Sequence, residues 1–295
     1  MTAFPMLRRL AAFTTDPSGG NPAGVWVGDE LPSATEMQRV AADVGYSETA
    51  FVAPSRGLER TIRYYSPKAE VSFCGHATIA TGVLLGELDG EGTFRLQTKV
   101  GEVSVEVSHA PEGHLRASLT SVATQHRLVD TVSPENGLLD RALSALAWRR
   151  DDLDPAIPPA VAYAGAWHLI LAVPDAATLD RLDYDFDRLT EIMTAADLTT
   201  LQLIRRESDE IFHSRNPFPV GGVVEDPATG AAAAALGGYL RDAGLLAAPA
   251  SFEIRQGEAM GRPSLLRVDV PASGGITVSG AAVSLDGVQE VDHDD

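Results

Sequence analysis

Residues 76–88 read HATIATGVLLGEL and residues 228–240 read ATGAAAAALGGYL. Each run spans about three and a half turns of α-helix. Neither offers a polar face; the first stays apolar almost all round until Glu87. A helix that is apolar on every side is buried rather than laid on a surface. The Ala and Gly content of both lets other backbones come close. Shifting the chain by 152 residues sets Arg63 on Arg215, Pro67 on Pro219, Val71 on Val223, Ala80 on Ala232, Leu84 on Leu236, Gly86 on Gly238 and Leu88 on Leu240. These are seven identities in a window of 26, without a gap. Two readings stand: chance matching in an Ala-, Gly- and Leu-rich chain, or a duplicated unit in which a loop feeds a buried helix once per half. The offset is close to half the length of 295 residues, which favours duplication.

Outward from these helices the first half alternates strands and turns. Leu10–Phe13 is apolar, residues 16–22 (DPSGGNP) are dense in turn formers, and Val25–Val27 resumes a strand. Ser33 and Glu36 have capping-box spacing before Met37, Val40, Ala41 and Val44, which recur at helical period. Gly45 suits the residue that ends that helix. Ser47–Val52 and Thr61–Tyr65 read as strands, and Phe94–Val107 as a hairpin turning at Gly101.

The charge balance excludes some functions. Lys plus Arg is 23 and Asp plus Glu is 41, a formal charge of −18. Such a surface repels nucleic acid and anionic lipid, so neither is an expected partner. No window approaches 18 consecutive apolar residues, so no membrane-spanning segment is expected. Met1–Thr15 lacks the apolar core of a signal peptide. Cys74 is the only cysteine, so no intrachain disulfide forms. That suits a reducing cytoplasm. Residues 292–295 read as a solvated tail.

Three places carry residues able to do chemistry. Cys74-Gly75-His76 precedes the first buried helix, and Glu225-Asp226-Pro227-Ala228-Thr229-Gly230 precedes the second. Asp is a good N-cap and Pro is favoured at N1, so the second helix is expected to start at Asp226-Pro227. Helix N-termini present free N–H groups and a partial positive charge. The two starts are either ordinary caps or an anion site for a small carboxylate. His76 is either a satisfied structural histidine or a neutral imidazole that can both donate and accept. Glu48 stands within the apolar run Tyr46–Val52, either exposed at an edge or buried for a purpose; burial would favour its protonated form. Cys74 is expected to be structural, or to contribute only backbone. The histidines other than His76 show no metal-ligand spacing with carboxylates or Cys74, and no metal is expected. No dinucleotide or phosphate loop and no nucleophile elbow is present.

Five motifs then occur in order: GGNPAGV (Gly19–Val25), YSETAFV (Tyr46–Val52), PKAEVSFCGHATIATG (Pro67–Gly82), EDPATGAA (Glu225–Ala232) and QGEAMGRPS (Gln256–Ser264). Together they resemble the PhzF phenazine-biosynthesis family, over about residues 7–285. The resemblance implies an α+β, diaminopimelate-epimerase-like fold. In that fold two pseudo-symmetric halves each wrap a curved sheet around a central helix, with the active site between them. The expected halves are residues 1–125, joined by 275–295, and residues 126–275. The resemblance also implies a cofactor-independent isomerase that moves a proton on a small acidic ring compound, trans-2,3-dihydro-3-hydroxyanthranilate in the namesake, and a homodimer. It assigns Glu48 as the acid/base, with His76 and Asp226 lining the site. Asn21, Ser47, Gly75, Thr229, Gly230 and Ala231 are the expected substrate-binding positions. Two departures bear on substrate identity. Ala231 stands where the family commonly has Ser, and Pro217 where the second repeat often has an aromatic residue. A two-thiol epimerase is excluded because the repeat mate of the Cys74 motif is Asp226 and no second thiol exists. An epimerase of another kind, acting on a small amino or hydroxy acid, and a non-catalytic binding protein are the alternatives.

Overall fold

Both apolar runs fold as helices, each packed against its own set of strands in one continuous sheet. The computed structural model describes residues 6–129 and 137–286. Those up to Leu119 and from Gly280 onward form one compact unit, and those from Thr120 to Ser279 the other.

In unit 1 the elements are β1 (Met6–Ala12), β2 (Asn21–Val27), α1 (Ala34–Val44), β3 (Thr49–Pro54), β4 (Glu59–Tyr65), β5 (Glu70–Val71), α2 (Gly75–Asp89), β6 (Gly92–Thr98), β7 (Gly101–His109) and β8 (Leu115–Thr120). β1 and β2 are antiparallel, and β2 runs parallel to β3 across α1. β3 and β4 are antiparallel, and β4 runs parallel to β6 across α2. β6, β7 and β8 form a meander, and β5 adds to the edge of β4. The last strand of the chain, β16 (Thr277–Ser284), neighbours β8 and pairs β1 through Leu10–Ser284, Ala11–Val283 and Ala12–Ala282. The sheet thereby closes on itself and leaves no long free edge, the usual weakness of an open sheet.

In unit 2 the elements are β9 (Gln125–Leu128), α3 (Leu138–Ala145), β10 (Ala160–Tyr163), β11 (Trp167–Ala172), α4 (Ala176–Asp180), α5 (Phe186–Ala195), β12 (Thr200–Arg206), β13 (Ile211–Arg215), α6 (Gly230–Asp242), β14 (Ala250–Gln256) and β15 (Ser264–Val270). The pairing of unit 1 recurs. β10 and β11 are antiparallel, β11 is parallel to β12, β12 and β13 are antiparallel, and β13 is parallel to β14 across α6. β14, β15 and the start of β16 form the second meander. Arg63 of β4 faces Glu70 at 3.9 Å, and its repeat mate Arg215 of β13 faces Glu225 at 2.7 Å. In each unit an arginine thus anchors the loop that runs toward the buried helix.

α2 contacts β1, β2, β3 and β7, and every residue from His76 to Gly86 is buried. α6 contacts β9, β10, β11, β12 and β15, and is buried from Ala232 to Leu240. Gly82 and Gly86 are what allow α2 to fit. A Cβ on Gly82 would lie 2.7 Å from Val105 and 2.8 Å from Ala117, and one on Gly86 2.5 Å from Val107. On the other face of each sheet the helices are amphipathic. Met37 and Ala41 of α1 pack on Phe51 and Tyr65, and α3, α4 and α5 of unit 2 share one large apolar cluster with β10, β11 and β12.

Local readings needed correction at four points. Ser47 and Glu48 precede β3 instead of lying in it. The hairpin turns at Lys99-Val100, and Gly101, at φ 113°, already opens β7. Ser33 accepts the Glu36 N–H at 3.2 Å as expected, but the Glu36 carboxylate turns to Arg39, so the cap is one-sided. α6 begins at Gly230, not at Asp226-Pro227. The backbone there is committed elsewhere: Pro217 bridges Glu225, and the Asp226 N–H donates to the Asn216 carbonyl. The segment therefore finishes a strand-like pairing before the helix starts.

Candidate active site

In unit 1 the expected site residues gather at the N-terminus of α2. β3 begins one residue after Glu48, and the Glu48 carbonyl accepts the Gly24 N–H from β2 at 3.2 Å. The backbone of Glu48 is thereby fixed where the loop becomes sheet. Its carboxylate Oε2 lies 3.5 Å from His76 Nε2 and 3.5 Å from Cys74 Sγ. Cys74 Sγ is also 3.4 Å from His76 Nδ1, and Ser47 Oγ is 3.4 Å from His76 Nε2. The Glu48 side chain keeps 19% exposure and that of His76 only 8%. The carboxylate is thus partly sheltered yet reachable from solvent. Asn21 is buried and opens β2, the strand parallel to β3, so it starts from the same end of that strand pair. Gly75 is the first residue of α2, and a methyl group added there would meet nothing within 4 Å.

Cys74 is buried at the start of α2. It occupies the N-cap position but makes no side-chain cap bond. Its thiol lies against both Glu48 and His76. Together the three residues could also hold a metal ion, since one donor atom of each lies within 4.8 Å of the others. Sequence spacing could not show this, because Glu48 stands 26 residues before Cys74.

In unit 2 the second group surrounds the start of α6. Asp226 is not the N-cap; its Oδ2 accepts the Thr229 hydroxyl at 2.5 Å. Thr229 occupies the N-cap position without a side-chain cap bond. Gly230 and Ala231 form the first turn, half-buried ahead of the fully buried stretch. The loop is held by Gln256, which sequence reasoning did not single out. Gln256 Nε2 donates to the Asp226 carbonyl at 2.7 Å and to Thr229 Oγ1 at 3.1 Å, while its Oε1 accepts the Thr229 N–H at 3.3 Å. Glu225 is structural: its carboxylate takes Arg215 in a two-point contact, Nε at 3.1 Å and Nη2 at 2.7 Å.

The two buried helices therefore share a feature that α1, α4 and α5 lack. Ser33, Asp175 and Asp185 cap those three with their side chains. The N-cap side chains of α2 and α6 do not. α3 likewise starts without a side-chain cap, at Gly137; a helix start of this kind leaves backbone N–H groups that can receive an anionic group.

The family model described as phenazine biosynthesis-like protein (PhzC-PhzF) matches residues 10–287. The chain belongs to this family. An uncharacterized isomerase of Deinococcus radiodurans is 34% identical over 304 aligned residues, covering 96% of this chain and 95% of the relative. A trans-2,3-dihydro-3-hydroxyanthranilate isomerase of Pseudomonas chlororaphis is 31% identical over 258, covering 87% of each. Among solved structures, a predicted epimerase of Pseudomonas aeruginosa superposes with a TM-score of 0.81 at 26% identity, covering 96% of this chain and 97% of that one. The fold is the expected α+β, diaminopimelate-epimerase-like class, and the chain is an isomerase. Among the described residues no helix is long and apolar enough to cross a membrane.

Proposed function

We propose that this PhzF-family isomerase moves a proton between two carbons of a small carboxylate-bearing substrate, without a cofactor, and that Glu48 carries the proton. The observation that supports the reading best is the contact of the Glu48 carboxylate with the His76 ring at 3.5 Å, beside the uncapped start of α2. One carboxyl can take a proton from one carbon and return it to another if it stays close to both and water is kept away. In this reading His76 orients Glu48 and exchanges a hydrogen bond as its charge changes. Ser47, Asn21 and Gly75 bind substrate beside Glu48, and Asp226 with the segment Thr229-Gly230-Ala231 is the candidate binding group of unit 2. A compound like dihydro-hydroxyanthranilate, the substrate class named for the Pseudomonas chlororaphis relative, is the first to try. Ala231 lacks the hydroxyl that Ser would offer at its position, so a somewhat different ring substitution is expected. The enzyme is further proposed to work as a cytoplasmic homodimer.

The Cys74 thiol favours one second reading, an epimerase of a small amino or hydroxy acid in which thiol and carboxylate serve the same carbon. The two readings differ in product: the first relocates a double bond, and the second inverts a centre.

The test is label uptake from deuterated water into candidate cyclic and acyclic acids, followed by mass spectrometry. Glu48→Gln keeps the shape but cannot accept a proton. Positioned acid/base groups contribute roughly 10²–10⁴-fold, so exchange is expected to fall by that factor while substrate still binds. Exchange at the wild-type rate in Glu48→Gln would end this mechanism.

A further inference from the structure

The cluster of Glu48, Cys74 and His76 has the donor set and spacing of one face of a metal site. Its donors are a carboxylate oxygen, a sulfur and a ring nitrogen, and among the described residues no other three His, Cys, Asp or Glu side chains gather so closely. The edges of the triangle are 3.5 Å from Glu48 Oε2 to Cys74 Sγ, 3.5 Å from Glu48 Oε2 to His76 Nε2 and 3.8 Å from Cys74 Sγ to His76 Nε2. A tetrahedral zinc ion, with bonds of about 2.0 Å to oxygen and nitrogen and about 2.3 Å to sulfur, needs donors roughly 3.3–3.6 Å apart. The two edges through Glu48 already fit; Cys74 Sγ lies nearer His76 Nδ1, at 3.4 Å, than Nε2, so the imidazole reorients to aim Nε2 at the ion as it binds. Sulfur and imidazole select zinc over magnesium or calcium, which prefer all-oxygen shells. The burial pattern suits an ion as well: His76 and Cys74 are each 8% exposed, while Glu48 leaves an approach from solvent.

We propose that Glu48, Cys74 and His76 bind Zn²⁺, with Cys74 as thiolate, and that the bound ion reversibly arrests the enzyme. The thiol proton leaves to solvent as the zinc–sulfur bond forms, so binding weakens as pH falls. Arrest follows because zinc occupies the carboxylate lone pair that would otherwise take the substrate proton. The arrest rests on the proposed role of Glu48; the binding does not. Three protein donors leave the fourth zinc position for water or a substrate carboxylate, so substrate and metal meet at the same carboxylate.

Cobalt(II) serves as the spectroscopic probe. Full-length, tag-free protein, stripped with a chelator, is titrated with Co²⁺. The expected result is one equivalent bound, a thiolate-to-cobalt charge-transfer band and tetrahedral ligand-field bands, all bleached by one equivalent of Zn²⁺. Cys74→Ser is expected to lose the charge-transfer band. Glu48→Gln and His76→Gln should weaken cobalt by more than the roughly 10–100-fold that loss of a residue supporting a ligand costs, with circular dichroism showing each variant folded. Absence of the charge-transfer band in wild-type protein overturns the site. Unchanged cobalt affinity in both Glu48→Gln and His76→Gln does so too, since the thiol would then be acting alone. In deuterium exchange, Zn²⁺ should inhibit with the midpoint at which it displaces cobalt; binding without inhibition overturns the arrest. If Glu48→Gln still exchanges label while wild-type protein shows the cobalt bands, the proposed proton carrier falls and the metal site stands.

Discussion

At Glu48 the chain changes from loop to strand, and that single step places a carboxylate where an apolar run would otherwise continue. The sequence marks the residue because a charge in Tyr46–Val52 demands an explanation. It does not reveal what the charge touches. The neighbour of Cys74 was hidden for the same reason: a lone thiol carries no sign of a carboxylate 26 residues away. Gln256 was passed over because the groups it holds, the Asp226 carbonyl and the Thr229 amide, lie 30 and 27 residues before it. Its burial, at 1% exposure, makes it the sharper test. Gln256→Leu keeps the volume and removes those hydrogen bonds. A typical hydrogen bond contributes roughly 0.5–1.5 kcal/mol net, so losing the three is expected to cost about 2–4 kcal/mol in urea unfolding. The Asp226 loop should loosen with it, lowering turnover, while Glu48 in unit 1 is untouched. A change below about 0.5 kcal/mol, the range of an ordinary surface substitution, would show that the loop holds itself.

Among the elements, the two apolar helices were legible from composition, because nothing but burial accommodates a helix without a polar face. Their starts were legible unequally. α1 followed its Ser33 and Gly45 signals, with Gly45 in the left-handed region at φ 75°. α6 ignored the Asp226-Pro227 signal, because the Pro217–Glu225 bridge and the Asp226–Asn216 bond take up that backbone first. Helix propensity and packing are set against each other in α2. As a helix former Ala exceeds Gly by about 1 kcal/mol, yet a Cβ on Gly82 meets Val105 and Ala117 inside 3 Å. Gly82→Ala is therefore expected to lower stability, by about 1–3 kcal/mol as overpacked cores do. Gly75→Ala, one element start away and in open space, should leave the melting temperature unchanged or slightly higher. Equal melting temperatures for the two variants would mean that α2 is not clamped by β7 and β8.

For the molecule as a whole, acid sensitivity follows from His168, fully buried in β11 of unit 2. Burial pushes its pKa down to about 3, and its Nδ1 pairs with the Thr200 hydroxyl at 2.8 Å while Nε2 has no partner among the described residues. In the unfolded chain the same histidine titrates near the ordinary value of about 6.5. Between those two values the unfolded state holds the extra proton, so stability rises with pH. The contribution of His168 is complete above the unfolded value and is lost as pH falls toward the folded one, with a slope of up to about 1.4 kcal/mol per pH unit. His168→Gln should flatten the slope of unit 2 unfolding between about pH 4 and 6.5; an unchanged slope would assign the sensitivity to other groups. At this scale the sequence by itself determined the two buried helices and the family, and favoured the duplication. Periodicity, composition and motif order are local properties that an unfolded chain already carries. It also determined which side chains could do chemistry. The tertiary structure alone decided which of them meet: Glu48 with Cys74 and His76, and Gln256 with Asp226 and Thr229. Those contacts join residues that the chain keeps far apart, and their distances are set by strand register and helix packing, for which no local pattern of residues codes.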